Sequence, residues 1–181
     1  MFDPLGLLEP FTVKAKIMLQ ELWKQKVSWD SQLPEELKPH WWTWFEELET
    51  LPLIQIPRSY LPSRCSTANL HVFGDSSKKA YGAVAYLRAK QESGVKITLI
   101  MAKSKITPMK SQTTPRVELL ASLVVARLSH FMAEKLKPKL GHMETTLWRN
   151  LSREEMAGVV LLKLSPSMET RFNVLCRCFF R

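Results

Sequence analysis

Cysteine is scarce in this chain of 181 residues, which holds only Cys65, Cys176 and Cys178. Three thiols cannot build a disulfide framework. The single residue inside Cys176-Arg177-Cys178 is also not the two-residue spacing of a metal knuckle. Long apolar runs are missing too: none approaches the roughly 20 residues that a membrane-spanning helix needs. The opening MFDPLGLLEP lacks a basic stretch and carries Asp3 and Glu9, which is not signal-peptide chemistry. These absences point to an intracellular, reducing location, cytoplasmic or nuclear, with no membrane partner. There is no internal repeat and no low-complexity tract. What remains, 45% hydrophobic and 24% charged residues, is globular composition.

Charge is present in excess and unevenly placed. The net charge is +9, but residues 1–68 hold seven basic against nine acidic side chains, and the rest holds nineteen against eight. A slightly acidic front and a strongly basic back suit two roles, the second directed at a polyanion. A solvated basic surface would have the same composition.

The front reads as two helices. In VKAKIMLQELWKQK, Ala15, Met18, Leu19 and Leu22 recur at helical spacing. After SWDSQLP, Pro34 suits a first helical position, with Pro39 able to delay the start. Leu37, Trp41, Trp44, Phe45 and Leu48 then form one apolar stripe, expected to be core rather than a stacking platform for bases. LPLIQIPRSYLPSR reads as an extended linker. From Asn69 the period becomes that of strands. NLHVFGD sets Leu70, Val72 and Gly74 against His71, Phe73 and Asp75. AYGAVAYLR sets Tyr81, Ala83, Ala85 and Leu87 against Gly82, Val84, Tyr86 and Arg88. VKITLIMAK places Val95, Ile97, Leu99 and Met101 on one face. The short connections predict an antiparallel meander. QTTPRVELLASLVVARLSHFMAEKLK predicts a long helix, with Thr114 as cap and Pro115 first inside, buried on most sides. HMETTLWR is a candidate fourth strand, giving the order β-β-β-α-β.

Two carboxylates stand out. Asp75 closes the first strand, and Glu118 falls in the first turn of the long helix, sharing a stripe with Ala121, Ser122 and Val125. Two like charges in a poorly solvated place repel each other, and a divalent cation such as Mg²⁺ removes that objection. Singly, each has a plainer role: Asp75 could open an Asx-type turn, and Glu118 could complement the helix dipole.

The blocks FDPLGLL, FGDSSKKAYGAV and TPRVELLA give the chain a specific resemblance. From about residue 2 to about residue 148 it resembles the end of the reverse transcriptase and the ribonuclease H region of Pao/BEL-type LTR retrotransposon polyproteins. The resemblance implies a ribonuclease H-like fold, an Asp-Glu-Asp cluster that binds Mg²⁺ or Mn²⁺, and cleavage of RNA in an RNA–DNA hybrid. Asp75 matches the first-strand aspartate of that cluster and Glu118 its first-helix glutamate. Lys103, Lys105, Lys110 and Arg116 would then touch phosphates, although a solvated basic loop would look the same.

The pattern breaks at its end. Asn150 stands where the third carboxylate is expected, and nothing beyond Trp148 resembles the family. Asparagine is a neutral, weaker ligand, so a second cation would be poorly held. The paired aspartates of a polymerase and an integrase-like carboxylate set are absent. Gly74-Asp75-Ser76-Ser77 lacks the Asp-Ser-Gly order of an aspartic protease, so protease activity is not expected.

The expectation is therefore an α+β or α/β polyprotein fragment. It would comprise a helical connector over 1–58, a linker over 59–68, a truncated ribonuclease H-like domain over 69–149 and a divergent segment over 150–181. Turnover on a hybrid would be weak or absent. A non-catalytic nucleic-acid-binding module and a non-functional remnant are the alternatives.

Overall fold

In a computed structural model of the chain, the described residues are 2–56, 59–60, 67–92, 94–140 and 144–149. Asn150 and the segment beyond it lie outside them.

The first block of the sequence explains how the chain begins. The Asp3 carboxylate accepts the Leu7 amide at 3.0 Å and the Leu8 amide at 2.7 Å, serving N–H groups just ahead of helix α1 (Glu9–Lys24). That helix lies against strand β3 (Gly94–Ile106). Glu9, only 8% exposed, accepts the Ser104 hydroxyl, the Thr12 hydroxyl at 3.3 Å and the Lys16 ammonium at 3.0 Å. Lower down, Gln20 Nε2 donates to the Thr107 carbonyl at 2.7 Å. A buried carboxylate is tolerable here because it is hydrogen-bonded and paired. These interactions tie the acidic front to the basic back.

Helix α2 (Lys38–Thr50) starts later than Pro34 suggests. Pro34 occupies the preceding turn, its carbonyl accepting the Leu37 and Lys38 amides, while Pro39 takes the first helical turn, where its missing N–H is harmless. The aromatic stripe does not become core. Trp44 stacks on Phe11 with centroids 4.7 Å apart and donates Nε1 to the Phe11 carbonyl at 3.1 Å, and Lys14 pairs with Glu47 at 2.7 Å. Yet no residue of α2 is buried. Helical spacing shows that one face is apolar, not that anything covers it. A single 3-10 turn, Leu51–Leu53, follows.

The sheet contains β1 (Thr67–Ser76), β2 (Ala80–Gln91), β3 and β4 (Thr145–Arg149), in spatial order β3-β2-β1-β4. β1, β2 and β3 pair antiparallel, and β4 runs parallel to β1. A parallel neighbour requires a crossover, and the crossover is helix α3 (Thr114–Leu140). The architecture is α+β, with the strand and helix order read from the sequence.

Pleating sends Leu70, Val72 and Gly74 of β1, with Ala83, Ala85 and Leu87 of β2, to the side that α3 covers. Val125, Leu128, Met132 and Leu136 of α3 close this core. Two readings of the sequence need correction. A β-bulge opposite Ala85 and Tyr86 pairs Met101 with Ala85 but Leu99 with Tyr86, so Met101 leaves the face of Val95, Ile97 and Leu99. And α3 is buried on one face only: Leu119 is 68% and Leu123 45% exposed on its outer side.

Candidate functional site

Asp75 sits one residue before the end of β1, paired with Gly82 of β2, and is half-buried. It does not make the turn that follows. Ser77 does: its hydroxyl accepts the Ala80 amide at 3.1 Å and the Lys79 amide at 3.3 Å, and its own amide donates to the Ala80 carbonyl at 2.7 Å. Among the described residues, the Asp75 carboxylate accepts the neighbouring Ser76 amide, at 2.7 Å. The turn-former role is thus taken by another residue.

Its acidity reflects that position. Burial pushes the Asp75 carboxyl above the ordinary carboxylate range. The Ser76 amide pulls it down in part, and the negative charge of Glu118 raises it again. The last effect places Glu118 within electrostatic reach of Asp75. Glu118 itself lies one turn into α3, not in the first turn. The helix begins at Thr114 after Thr113, whose carbonyl takes the Arg116 amide at 3.0 Å and the Val117 amide at 3.2 Å. This weakens the dipole explanation for Glu118, since that effect fades within the first turn.

The stripe below Glu118 brings the helix close to the sheet. Ala121 and Val125 are buried, and the Ser122 hydroxyl donates to the Glu118 carbonyl at 2.8 Å. Tyr81 of β2 packs with Val117 and Ala121 beneath this end of the helix.

A raised carboxyl costs stability once ionised. Between its unfolded value and its higher folded value, the folded chain holds more protons, so stability falls as pH rises through that window and stays lowered above it. Asp75→Asn removes the penalty. Without metal at pH 7, its melting temperature should exceed wild type by about 1–2 °C, allowing for partial solvent screening. The gap should close as pH approaches the ordinary aspartate range. A lower melting temperature for Asp75→Asn at pH 7 would contradict this reading.

Asp75 and Glu118 interact electrostatically across the end of β1 and α3. They do not make a two-ion centre. Among the described residues no cluster of three or more acidic, histidine or cysteine side chains is placed to hold a metal. The third position, Asn150, lies outside those residues.

The cations read from the sequence are all exposed: Lys103 and Lys105 on β3, Lys110 in the loop and Arg116 in the first turn of α3. Register puts Lys105 in the row of Ser76 and Tyr81, and Lys103 in the row of Gly74 and Ala83, the two rows that flank Asp75. Lys78 and Lys79, exposed in the turn straight after Asp75, belong to the same surroundings. Sequence reading passed over them as part of a connection, although their place next to the carboxylate was the available signal. His71, on the same strand, is pushed below the ordinary histidine range by burial and by Arg88, so it adds no charge near neutral pH.

The chain is similar to known proteins. Residues 1–150 match the model of a family described as the Pao retrotransposon-like RNaseH-like domain. No curated protein matches the chain. Among solved structures, a foamy viral protease–reverse transcriptase in complex with dsDNA shares 14% identity, at a TM-score of 0.36 over 100% of this chain and 37% of that one. The dRH form of the foamy viral protease–reverse transcriptase with ds DNA shares 13% identity, at a TM-score of 0.35 over 98% of this chain. This chain covers 31% of that second chain, so it spans about a third of either. Among the described residues, no helix is long and apolar enough to cross a membrane.

Proposed function

The chain belongs to the Pao retrotransposon-like RNaseH-like family, and from that premise we propose that it binds RNA–DNA hybrids while cleaving their RNA strand weakly or not at all. The observation that carries this is the Asp75 carboxylate, which its own turn does not use and which burial and the charge of Glu118 raise. Asp75 and Glu118 are the metal ligands, and a Mg²⁺ or Mn²⁺ ion bound there would supply Lewis acidity toward a phosphodiester and its attacking water. Everything else falls to the chain's own residues. Lys103, Lys105, Lys110 and Arg116 hold phosphates and fix the register of the hybrid, without reading its sequence. A single ion held by two carboxylates would offset less of the charge developing at the phosphate than two ions, and turnover would be weak. Asn150 contributes no charge to make up the difference.

The test is a labelled RNA–DNA hybrid incubated in Mg²⁺ or Mn²⁺ with wild type and with Asp75→Asn, with binding followed in parallel. Expected is salt-sensitive binding, with cleavage barely above that of Asp75→Asn. Replacing the four cations by alanine should flatten the log–log salt dependence by roughly 3–4 units, near 0.9 for each phosphate no longer neutralised. Robust cleavage abolished by Asp75→Asn would overturn the weak-turnover reading and establish a nuclease. No binding at low salt would overturn the nucleic-acid role altogether.

A further inference from the structure

An exposed aromatic pair of α2, beside the stripe that packs on Phe11, and the outer face of α3 are left unexplained by the nucleic-acid site. On α2, Trp42 is 65% and Phe45 49% exposed, their rings 6.2 Å apart, and Leu53 just beyond is 78% exposed. Exposed Glu46 and Glu49 share this side of the helix at one-turn spacing. An apolar surface of this kind marks an interaction site, and its acidic flank repels a polyanion. On α3, Leu119 and Leu123 lie outward, away from the sheet, and exposed Arg127 and Lys137 follow on the same outer side. Glu134 between them is offset by its own neighbour Lys135, 3.6 Å away.

The two surfaces are opposites: apolar with acid on α2, apolar with base on α3. Among the described residues, α2 packs chiefly on α1 while α3 packs on β1, β2 and β4. Like faces do not suit each other. Two α2 stripes would set glutamates against glutamates, and two α3 faces would set cations against cations. We propose that a second copy of this chain is the occupant, with the Trp42–Phe45 stripe of one copy seated on the Leu119–Leu123 face of α3 in the other. Charge complementarity sets the pairing, and the exposed aromatics are its anchors. Because the interface joins different patches, it closes as a reciprocal pair or continues as an open chain. It leaves Asp75 and β3 free for nucleic acid.

The experiment follows the mass of the full chain by light scattering during gel filtration. At about 100 µM, a range suited to a small interface, wild type should run well above its monomer mass of 20.9 kDa. Raising NaCl from about 0.05 to 0.5 M should weaken the association at least fivefold. Phe45→Glu and Leu123→Glu change exposed side chains, so each should keep its fold by circular dichroism and run as a monomer. Mixed in equal amounts, the two should associate again, because one retains an intact α3 face and the other an intact α2 stripe. Glu46→Lys should weaken the wild-type assembly, and Arg127→Glu in the partner copy should restore it. A monomeric wild type overturns the proposal. So does one variant that stays assembled alone, or a mixture that stays monomeric. Should either glutamate variant unfold, the charge-swap pair decides alone, and failure to restore assembly overturns the proposal.

Discussion

Gly6→Ala should destabilise the chain by about 3 kcal/mol, a fall in melting temperature of roughly 6–12 °C. Two causes add. Gly6 holds φ at +69°, a conformation that costs an L residue about 1 kcal/mol or more. A Cβ there would also stand 2.0 Å from the Ala102 carbonyl oxygen and 2.7 Å from its carbon, which are backbone atoms of β3 and cannot rotate away. The flanking Leu5 carbonyl accepts the Ala102 amide at 2.9 Å, so making room breaks that bond. The released segment would carry Glu9 away from Ser104, leaving a buried hydroxyl to find another partner. Thermal melts followed by circular dichroism measure the loss. A drop below about 1 °C would mean that the front of the chain is not seated on β3 as described.

Gly74→Ala should be nearly as damaging, about 2–3 kcal/mol, for a different reason. Its backbone is unexceptional, but a Cβ would lie 2.0 Å from a Val125 methyl. Val125 is buried and β-branched on a helix, so its side chain has little freedom to turn aside. The helix must lift from the sheet. Val125→Ala removes the obstructing methyl, so the double variant should be less destabilised than the two single losses combined, by at least about 1 kcal/mol. Strict additivity would show that α3 does not approach β1 at this point. The same lift moves Glu118 away from Asp75, so Gly74→Ala should also weaken metal binding while Gly6→Ala should not.

Much of this was legible in the sequence, because the strongest signals are local and periodic. Alternation along β1 and β2 sorts residues onto two faces, and the structure keeps that sorting, although Phe73 and Tyr86 of the second face are buried too. One-residue events escape such reading. The bulge opposite Ala85 and Tyr86 flips Met101, and no composition marks it. Partners distant in sequence escape it as well. FDPLGLL is distinctive as a block, but the roles of Asp3, Gly6 and Glu9 come from amides a few residues on and from Ala102 and Ser104 across the sheet. The α2 stripe was legible as apolar and misjudged as core, since spacing is silent on what a helix faces. Of the candidate site, Asp75 and Glu118 were legible from chemistry plus strand order. The exclusion of Asp75 from its own turn was not, because Asp75 and Ser77 are equally plausible turn-formers until hydrogen bonds assign the role to Ser77.

One cation held between Asp75 and Glu118 is the central claim, and Mg²⁺ titration of the whole chain by calorimetry tests it most directly. The expected result is one ion per chain in wild type. That heat should vanish in Asp75→Asn and fall at least tenfold in affinity in Glu118→Gln, both variants remaining folded. Two ions per chain, or one that survives Asp75→Asn unchanged, would contradict it.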